Sequence, residues 1–279
     1  MDRETHEITD FARKIAREAG AIAMEGFRSR DLGIDLKQDL HDVVTQYDRA
    51  CEEHIRAAIL ERYPDSTIVG EEDGATEGDG PLAWHIDPID GTANFARGIA
   101  MWAVSIGIAR DGEIVSGVVY DPANNHMFWA DSRGAFLGDE PMRSWGFADP
   151  AQATVVLNFP LPRDLVHFPE LALSQFAGVS QDFAQVRALG SSCISLCWVA
   201  AGWVDATVSF GANSWDVAAS AFIIRRAGGQ YVTYLDGAAQ PEAGDFVNPH
   251  YLAAVPGGDF PILHEIMRTQ SKRPLAAVN

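Results

Sequence analysis

The length, composition and charge of this chain exclude several classes of protein. It has 279 residues, 47% of them hydrophobic, which is enough for one large domain or two modest ones around a true core. Its net charge of -18 argues against general binding to nucleic acid, and it has no apolar run of about 18 residues that could span a membrane.

The chain is predicted to begin with two helices and to continue mostly as strands. Near-helical apolar spacing predicts a helix over about 5–28, and a second helix fits 45–62, where Tyr63-Pro64 would end it. The stretch "STIVGEED" predicts a strand that runs into an acidic turn, and an acidic, glycine-rich loop follows over 73–81. Strands are then predicted at 82–86, 103–110, 114–120 and 126–130, with a hairpin turn at "RDGE".

The pattern changes near residue 150, at "FADPAQA", and strands and helices alternate beyond it. Strands are predicted at 154–158, 186–189, 206–208 and 230–234, and helices near 168–176, 193–201 and 216–227. We therefore predict an antiparallel α+β half over 1–150, followed by an α/β half over 151–279.

The N-terminus and the cysteines both predict a cytoplasmic location. The charged start of the chain lacks the apolar core of a secretory signal. Cys51, Cys193 and Cys197 have no zinc-type spacing with histidines and are expected to be reduced core residues. None of the eight histidines is assigned to a metal.

Carboxylates recur where elements are predicted to end or begin. Glu71 ends the strand in "GEED", "DPIDGT" holds Asp87 and Asp90, and Asp216 opens a predicted helix. Hard divalent cations such as Mg²⁺ take oxygen ligands of this kind, with backbone carbonyls, water and phosphate. In "DPIDGT" the glycine would also let backbone N–H groups approach a phosphate. This stretch is therefore half of a candidate metal and phosphate site.

Each of these signals also has an ordinary structural explanation. Asp87 and Asp90 could cap a turn, and Glu71 with its acidic neighbours could form a solvated turn. Asp216 could serve only as a helix N-terminal carboxylate, stabilised by the helix dipole.

Taken together, "GEE", "WHIDPIDGTANF" and "WDVAA" resemble the inositol monophosphatase family of magnesium-dependent, lithium-sensitive phosphatases. The similarity covers nearly the whole chain and includes the early segment "KQDLHDVVTQYDRACE", with Lys37 and Asp42. It implies a layered αβαβα sandwich of the sugar-phosphatase type, with the active site between the two halves. It also implies Mg²⁺ as cofactor, a small phosphate ester as substrate and a homodimer.

The resemblance implies a set of metal ligands. Glu71, Asp87 and the Ile89 carbonyl would hold a first ion. Asp87, Asp90 and Asp216 would hold a second, and Glu71 would help to bind a third, weaker ion. Two to three Mg²⁺ ions per site are therefore expected.

The resemblance also implies roles in catalysis and in phosphate binding. Glu71 and Thr92 would position the attacking water, and Asp48 would polarise the Thr92 hydroxyl. The N–H groups of Gly91 and Thr92, beside Asp90, would meet the phosphate. In-line displacement by water at a phosphate monoester needs no covalent nucleophile.

The alcohol part of the substrate is expected to meet the "GSS" turn, Gly190, Ser191 and Ser192. Seven residues before the W-D aspartate the family has a glutamate that grips ring hydroxyls, and this chain has Ser209 there. An inositol monophosphate-like ester is the first expectation. Histidinol phosphate, fructose 1,6-bisphosphate and 3′-phosphoadenosine 5′-phosphate stay open, as does a non-catalytic regulatory protein on the same fold.

Overall fold

A computed structural model describes residues 2–29, 32–33, 35–36, 43–241 and 244–273. Its helices are α1 (Asp2–Gly26), α2 (Gln46–Arg62), α3 (Thr92–Arg97), α4 (Pro162–His167), α5 (Pro169–Asp182), α6 (Ser192–Ala201), α7 (Ser214–Arg226) and α8 (Pro261–Gln270), with a 3-10 helix at Asp245–Val247. Its strands are β1 (Asp35–Leu36), β2 (Val43–Val44), β3 (Thr67–Gly70), β4 (Gly74–Thr76), β5 (Leu82–Asp90), β6 (Ala103–Arg110), β7 (Glu113–Asp121), β8 (His126–Asp131), β9 (Gly134–Leu137), β10 (Glu140–Pro141), β11 (Thr154–Leu157), β12 (Gln185–Arg187), β13 (Ala206–Phe210), β14 (Gln230–Leu235), β15 (Ala238–Ala239) and β16 (His250–Ala254). Lys37 and Asp42 lie outside the described residues.

In the described part of the chain, three layers of helices enclose two large sheets, and β1 and β2 form a separate two-stranded sheet. The first sheet has the strand order β10-β9-β8-β7-β6-β5-β3-β4, and the second has the order β12-β11-β13-β16-β14-β15. Helices α1 and α2 cover the outer face of the first sheet, α6 and α7 lie between the sheets, and α5 and α8 cover the outer face of the second. This is the αβαβα sandwich, so the predicted fold class is confirmed.

The two sheets differ in strand direction, as the sequence predicts. In the first sheet only β3 and β5 run parallel, and the other neighbours are antiparallel. In the second sheet β11 is parallel to both β12 and β13. Strand β16 runs antiparallel to both of its neighbours, β13 and β14. The division of the chain at residue 150 stays a prediction, and α7 packs in a core that draws on both sheets.

Two glycines let α7 approach the first sheet more closely than a side chain would allow. Gly107 on β6 and Gly117 on β7 are cross-strand partners. A Cβ on Gly107 would lie 2.7 Å from the Ala218 Cβ, and one on Gly117 would lie 2.4 Å from the Ala219 carbonyl oxygen. Both gaps are too short for real carbon contacts, so the glycines set the depth at which α7 sits.

Several predicted elements need correction. The segment 73–81 was expected to be a loop, but it contains β4, which pairs with β3. The strand expected over 82–86 continues to Asp90 as β5, through a change of register. Strand β16, which lies between β13 and β14, was not predicted from the sequence.

The three cysteines lie in the core, as the sequence predicts. Cys51, Cys193 and Cys197 are free and buried. Among the described residues, none of the helices combines the length and the apolar composition that crossing a membrane requires.

Candidate active site

Two aspartates of β5 are brought to one side of the strand by an irregularity in the ladder. Asp87 pairs with Ser105 and Asp90 pairs with Ala103, so three steps along β5 match two along β6. Residues three apart on a regular strand face opposite ways, and the extra residue cancels this alternation. The Asp87 carboxylate accepts the Ile89 N–H at 3.0 Å, which fixes the irregular turn.

The third carboxylate comes from the other half of the chain. Asp216 lies in the first turn of α7, where its carboxylate accepts the Asn213 N–H at 2.6 Å and closes a capping box. One carboxylate oxygen from each of Asp87, Asp90 and Asp216 lies within 4.8 Å of the other two. The cluster therefore joins strand β5 of the first sheet to a helix between the two sheets.

Asp90 also holds the start of helix α6. Its carboxylate accepts the Ser191 hydroxyl, the Ser192 N–H at 3.2 Å and the Cys193 N–H at 2.8 Å. Ser191 is only 1% exposed and caps the helix by accepting the Ile194 N–H. Ser191 was predicted to meet the alcohol of the substrate, but its buried hydroxyl is bonded to Asp90, which favours a role in orienting that carboxylate.

Thr92 and Asp48 form a hydrogen-bonded pair beside the cluster. The Thr92 hydroxyl lies 3.0 Å from both the Asp48 carboxylate and the Ile89 carbonyl oxygen, and these two acceptors compete for its one proton. The buried Asp48 carboxylate also accepts the N–H and the hydroxyl of Thr45, the cap of α2, at 2.8 and 2.6 Å. The contact between Thr92 and Asp48 has the geometry that the expected roles require, and the roles stay a prediction.

Glu71 lies at the end of β3, on a turn that a buried carboxylate holds in place. Its N–H donates at 3.2 Å to the carbonyl of Ile86, the residue before Asp87 on β5. Glu52 on α2, fully buried, accepts the N–H groups of Glu72 and Asp73 at 2.9 and 3.0 Å. From the sequence, Glu52 was matched only to the family's early segment, "KQDLHDVVTQYDRACE", and was given no role in the site.

Gly91 and Gly190 meet where the two halves of the chain come together. Gly91 has a φ of 97°, and a Cβ there would lie 2.9 Å from the Met101 carbonyl oxygen and 3.3 Å from that of Gly190. Asn94 ties the same region together, since its side-chain amide donates to the carbonyls of Met101 and Leu189 at 2.8 and 2.7 Å. Asn94 belongs to the quoted motif but was given no role from the sequence.

Ser209 lies on the face of β13 that is turned toward the inner helices. It pairs directly with Tyr251 on β16, and directly opposed residues of antiparallel strands share a face. Tyr251 is 1% exposed within the core around α6 and α7, and its side chain interacts with that of Ser192 at the start of α6. On this face, toward the start of α6, Ser209 therefore presents a short neutral hydroxyl where the family glutamate would present a carboxylate.

The carboxylates of the cluster are hard to ionise together. Burial, more than any other cause, raises the pKa of Asp48 and of Asp90 to about 6 and that of Asp216 to about 8. Burial, with the negative charges of Glu71 and Asp90, raises the pKa of Asp87 well above its usual range. A bound cation would relieve this repulsion. The donors are all carboxylate oxygens, which fits a hard ion such as Mg²⁺.

Comparison with known proteins agrees with this geometry. The sequence pattern of the inositol monophosphatase family matches residues 4–260. A Pasteurella multocida protein named Nus factor SuhB is 37% identical over 254 residues, covering 89% of this chain and 91% of that protein. An inositol-1-monophosphatase of Mesorhizobium japonicum is 36% identical over 228 residues, covering 81% of each chain.

Solved structures show the same fold. The inositol monophosphatase of Thermotoga maritima superposes with a TM-score of 0.78 at 27% identity, covering 96% of each chain. The SuhB protein of Bartonella henselae superposes with a TM-score of 0.80 at 26% identity, covering 96% of this chain and all of that one.

Proposed function

Because the chain belongs to the inositol monophosphatase family, we propose that it is a Mg²⁺-dependent phosphomonoesterase acting on a small polyol or sugar phosphate. The observation that carries the proposal is the cluster of Asp87, Asp90 and Asp216, whose carboxylate oxygens lie within 4.8 Å of one another. Asp87 and Asp90 are buried and Asp216 is partly buried, so three carboxylates at this distance repel one another unless a cation binds between them.

The proposed metal ligands are Asp87, Asp90 and Asp216, together with Glu71, directly after β3, and the Ile89 carbonyl, which accepts from the Thr92 hydroxyl at 3.0 Å. When bound, Mg²⁺ would neutralise charge on the phosphate and make a nearby water more acidic. Asp90 is preset for this use, since the three donors at the start of α6 fix its carboxylate before any ion arrives. Preset ligands lower the cost of ordering on binding.

Thr92 is proposed to orient the attacking water. When the Thr92 hydroxyl donates its hydrogen bond to Asp48, the lone pairs of the hydroxyl oxygen can accept a hydrogen bond from water. Asp48 accepts from Thr45 as well, so it is held firmly in the position that receives the Thr92 proton. The N–H of Gly91 is proposed to meet the phosphate, and the residue must be glycine because a side chain there would meet the Met101 carbonyl oxygen.

The alcohol part of the substrate is proposed to depend less than an inositol ring does on a carboxylate that accepts hydrogen bonds from its hydroxyls. Ser209 supplies only a short neutral hydroxyl where a carboxylate would accept two ring hydroxyls. Charge-assisted hydrogen bonds are worth about 1.5–3 kcal/mol each, so their loss weakens recognition of inositol 1-phosphate. Activity on that ester is expected to be modest, with a better substrate among other small phosphate esters. A homodimer and a cytoplasmic location belong to the proposal on family grounds.

A second candidate is a non-catalytic role on the same fold. It is favoured by the names of the relatives, since proteins at 32–37% identity are named Nus factor SuhB. All six side chains expected for catalysis are present, which favours the enzyme; they are Asp48, Glu71, Asp87, Asp90, Thr92 and Asp216.

Phosphate release separates the two candidates. Purified protein, stripped of metal with EDTA, is assayed against inositol 1-phosphate, glycerol 2-phosphate, histidinol phosphate, fructose 1,6-bisphosphate and 3′-phosphoadenosine 5′-phosphate, with and without Mg²⁺. The enzyme proposal predicts turnover of at least one ester that depends on Mg²⁺. No turnover of any ester at millimolar Mg²⁺ would refute it and leave the non-catalytic role.

A further inference from the structure

The position of Asp216 depends on how the first turn of α7 is held against the first sheet. Strand β5 carries both Asp87 and His85, and His85 reaches across to this turn. A hydrogen bond of 2.8 Å joins the His85 Nδ1 to the Ser214 hydroxyl. The imidazole is 7% exposed and packs edge-on against the Phe246 ring at 5.1 Å, so it has little freedom to move.

Ser214 and Asp216 lie in the same helical turn. Ser214 is the first residue of α7, and Asp216 closes the capping box two residues later. Displacement of Ser214 therefore moves the Asp216 carboxylate relative to Asp87 and Asp90. Metal sites tolerate errors of only about 0.2 Å in ligand distance, so a small shift of this turn is costly.

We propose that His85 is a positioning residue for the metal cluster, acting through Ser214 to hold Asp216 at its distance from the two aspartates of β5. His85 and Asp87 are two apart on the same strand, so the strand that supplies two ligands also anchors the helix that supplies the third. The inference rests on the proposed function, because it assigns His85 a part in the same metal site.

The competing explanation is that His85 only fills space between the sheet and α7. Four single variants, with the double variant of His85→Leu and Ser214→Ala, separate the two explanations. His85→Leu keeps an apolar side chain of similar reach without the hydrogen bond, and Ser214→Ala removes the other partner. His85→Asn restores a polar atom near the position of Nδ1. Ser220→Ala is the matched control, since it removes a buried hydroxyl from the same helix that bonds only within the helix, to the Val217 carbonyl.

The measurement is Mn²⁺ binding to metal-free protein, by calorimetry, alongside the Mg²⁺ dependence of phosphate release. We expect His85→Leu and Ser214→Ala each to weaken Mn²⁺ binding about tenfold, as is usual when a residue that orients a metal ligand is lost. The double variant should be no weaker than either single one, because both remove the same bond. His85→Asn should recover most of the affinity, and Ser220→Ala should bind as the wild type does. Activity lost at low Mg²⁺ should return at high Mg²⁺.

Several outcomes overturn the inference. Unchanged Mn²⁺ affinity in both single variants would leave His85 as a space-filling residue, as would equal losses in His85→Leu and His85→Asn. Losses that multiply in the double variant would show that the two side chains act independently. If the wild-type protein binds no Mn²⁺, the proposed function fails together with this inference, whereas wild-type binding with unaffected variants refutes this inference alone.

Discussion

Replacing Asp216 by asparagine should make the metal-free protein more stable while removing most of its activity. The asparagine side-chain oxygen can still accept the Asn213 N–H, so the capping box of α7 survives. Asp90 is a less clean target, because both of its carboxylate oxygens accept N–H or O–H donors from α6. An asparagine there would turn an N–H₂ group toward one of these donors.

The size of the effect follows from the cost of ionising Asp216 in the folded protein. Burial and the charge of Asp90 raise its pKa from 3.8 to about 8. The pKa of Asp216 in the unfolded chain lies roughly three units below neutral pH. Ionising Asp216 in the folded, metal-free protein at neutral pH therefore costs at most about 4 kcal/mol. Asp87, Asp90 and Asp216 titrate together, so the removal of one carboxylate recovers only part of this cost. We expect Asp216→Asn to raise the free energy of unfolding by about 2 kcal/mol near neutral pH, half of the upper bound.

The stability difference between the wild type and Asp216→Asn should depend on pH. A carboxyl whose folded pKa is raised binds more protons in the folded state, so the metal-free wild type should lose stability as pH rises from about 4 to about 8. Urea unfolding of the EDTA-treated proteins should show Asp216→Asn more stable near neutral pH and the two proteins converging near about pH 4. Mg²⁺ should stabilise the wild type more than the variant. A stability difference that does not change with pH, or a variant with wild-type turnover at saturating Mg²⁺, would refute the reasoning.

Three further substitutions test other parts of the site and the fold. Thr92→Ala should lower kcat more than it raises KM, since Thr92 is proposed to orient water, and a change confined to KM in steady-state assays would contradict this. Ser209→Glu should raise kcat/KM for inositol 1-phosphate relative to glycerol 2-phosphate by roughly five- to thirtyfold, and an unchanged ratio would mean that Ser209 lies outside the pocket. Gly117→Ala should cost about 1–3 kcal/mol of stability in urea unfolding, because its Cβ would lie 2.4 Å from the Ala219 carbonyl oxygen. An equally stable Gly117→Ala variant would mean that α7 can move outward freely.

Local patterns in the sequence determined the elements whose signals are short-range. The apolar spacing of α1 and the Tyr63-Pro64 stop after α2 needed only neighbouring residues, and both helices lie within a few residues of their predicted bounds. The hairpin between β6 and β7 was predicted from "RDGE", and Asp111 and Gly112 there have the positive φ angles that such a turn requires. The metal-binding motif could likewise be recognised locally, because "DPIDGT" concentrates oxygen ligands in a few residues.

What only the tertiary structure decided depends on residues far apart in the chain. Asp216 reaches Asp87 and Asp90 because glycines on β6 and β7 let α7 sit against the first sheet, and no local pattern records that approach. Strand β16 enters the second sheet between β13 and β14, although it follows β14 in the chain, and strand order is settled by packing and not by periodicity. The buried Ser191 and the contact from His85 to Ser214 arise in the same way, since a hydroxyl finds its partner only when the two halves have folded together.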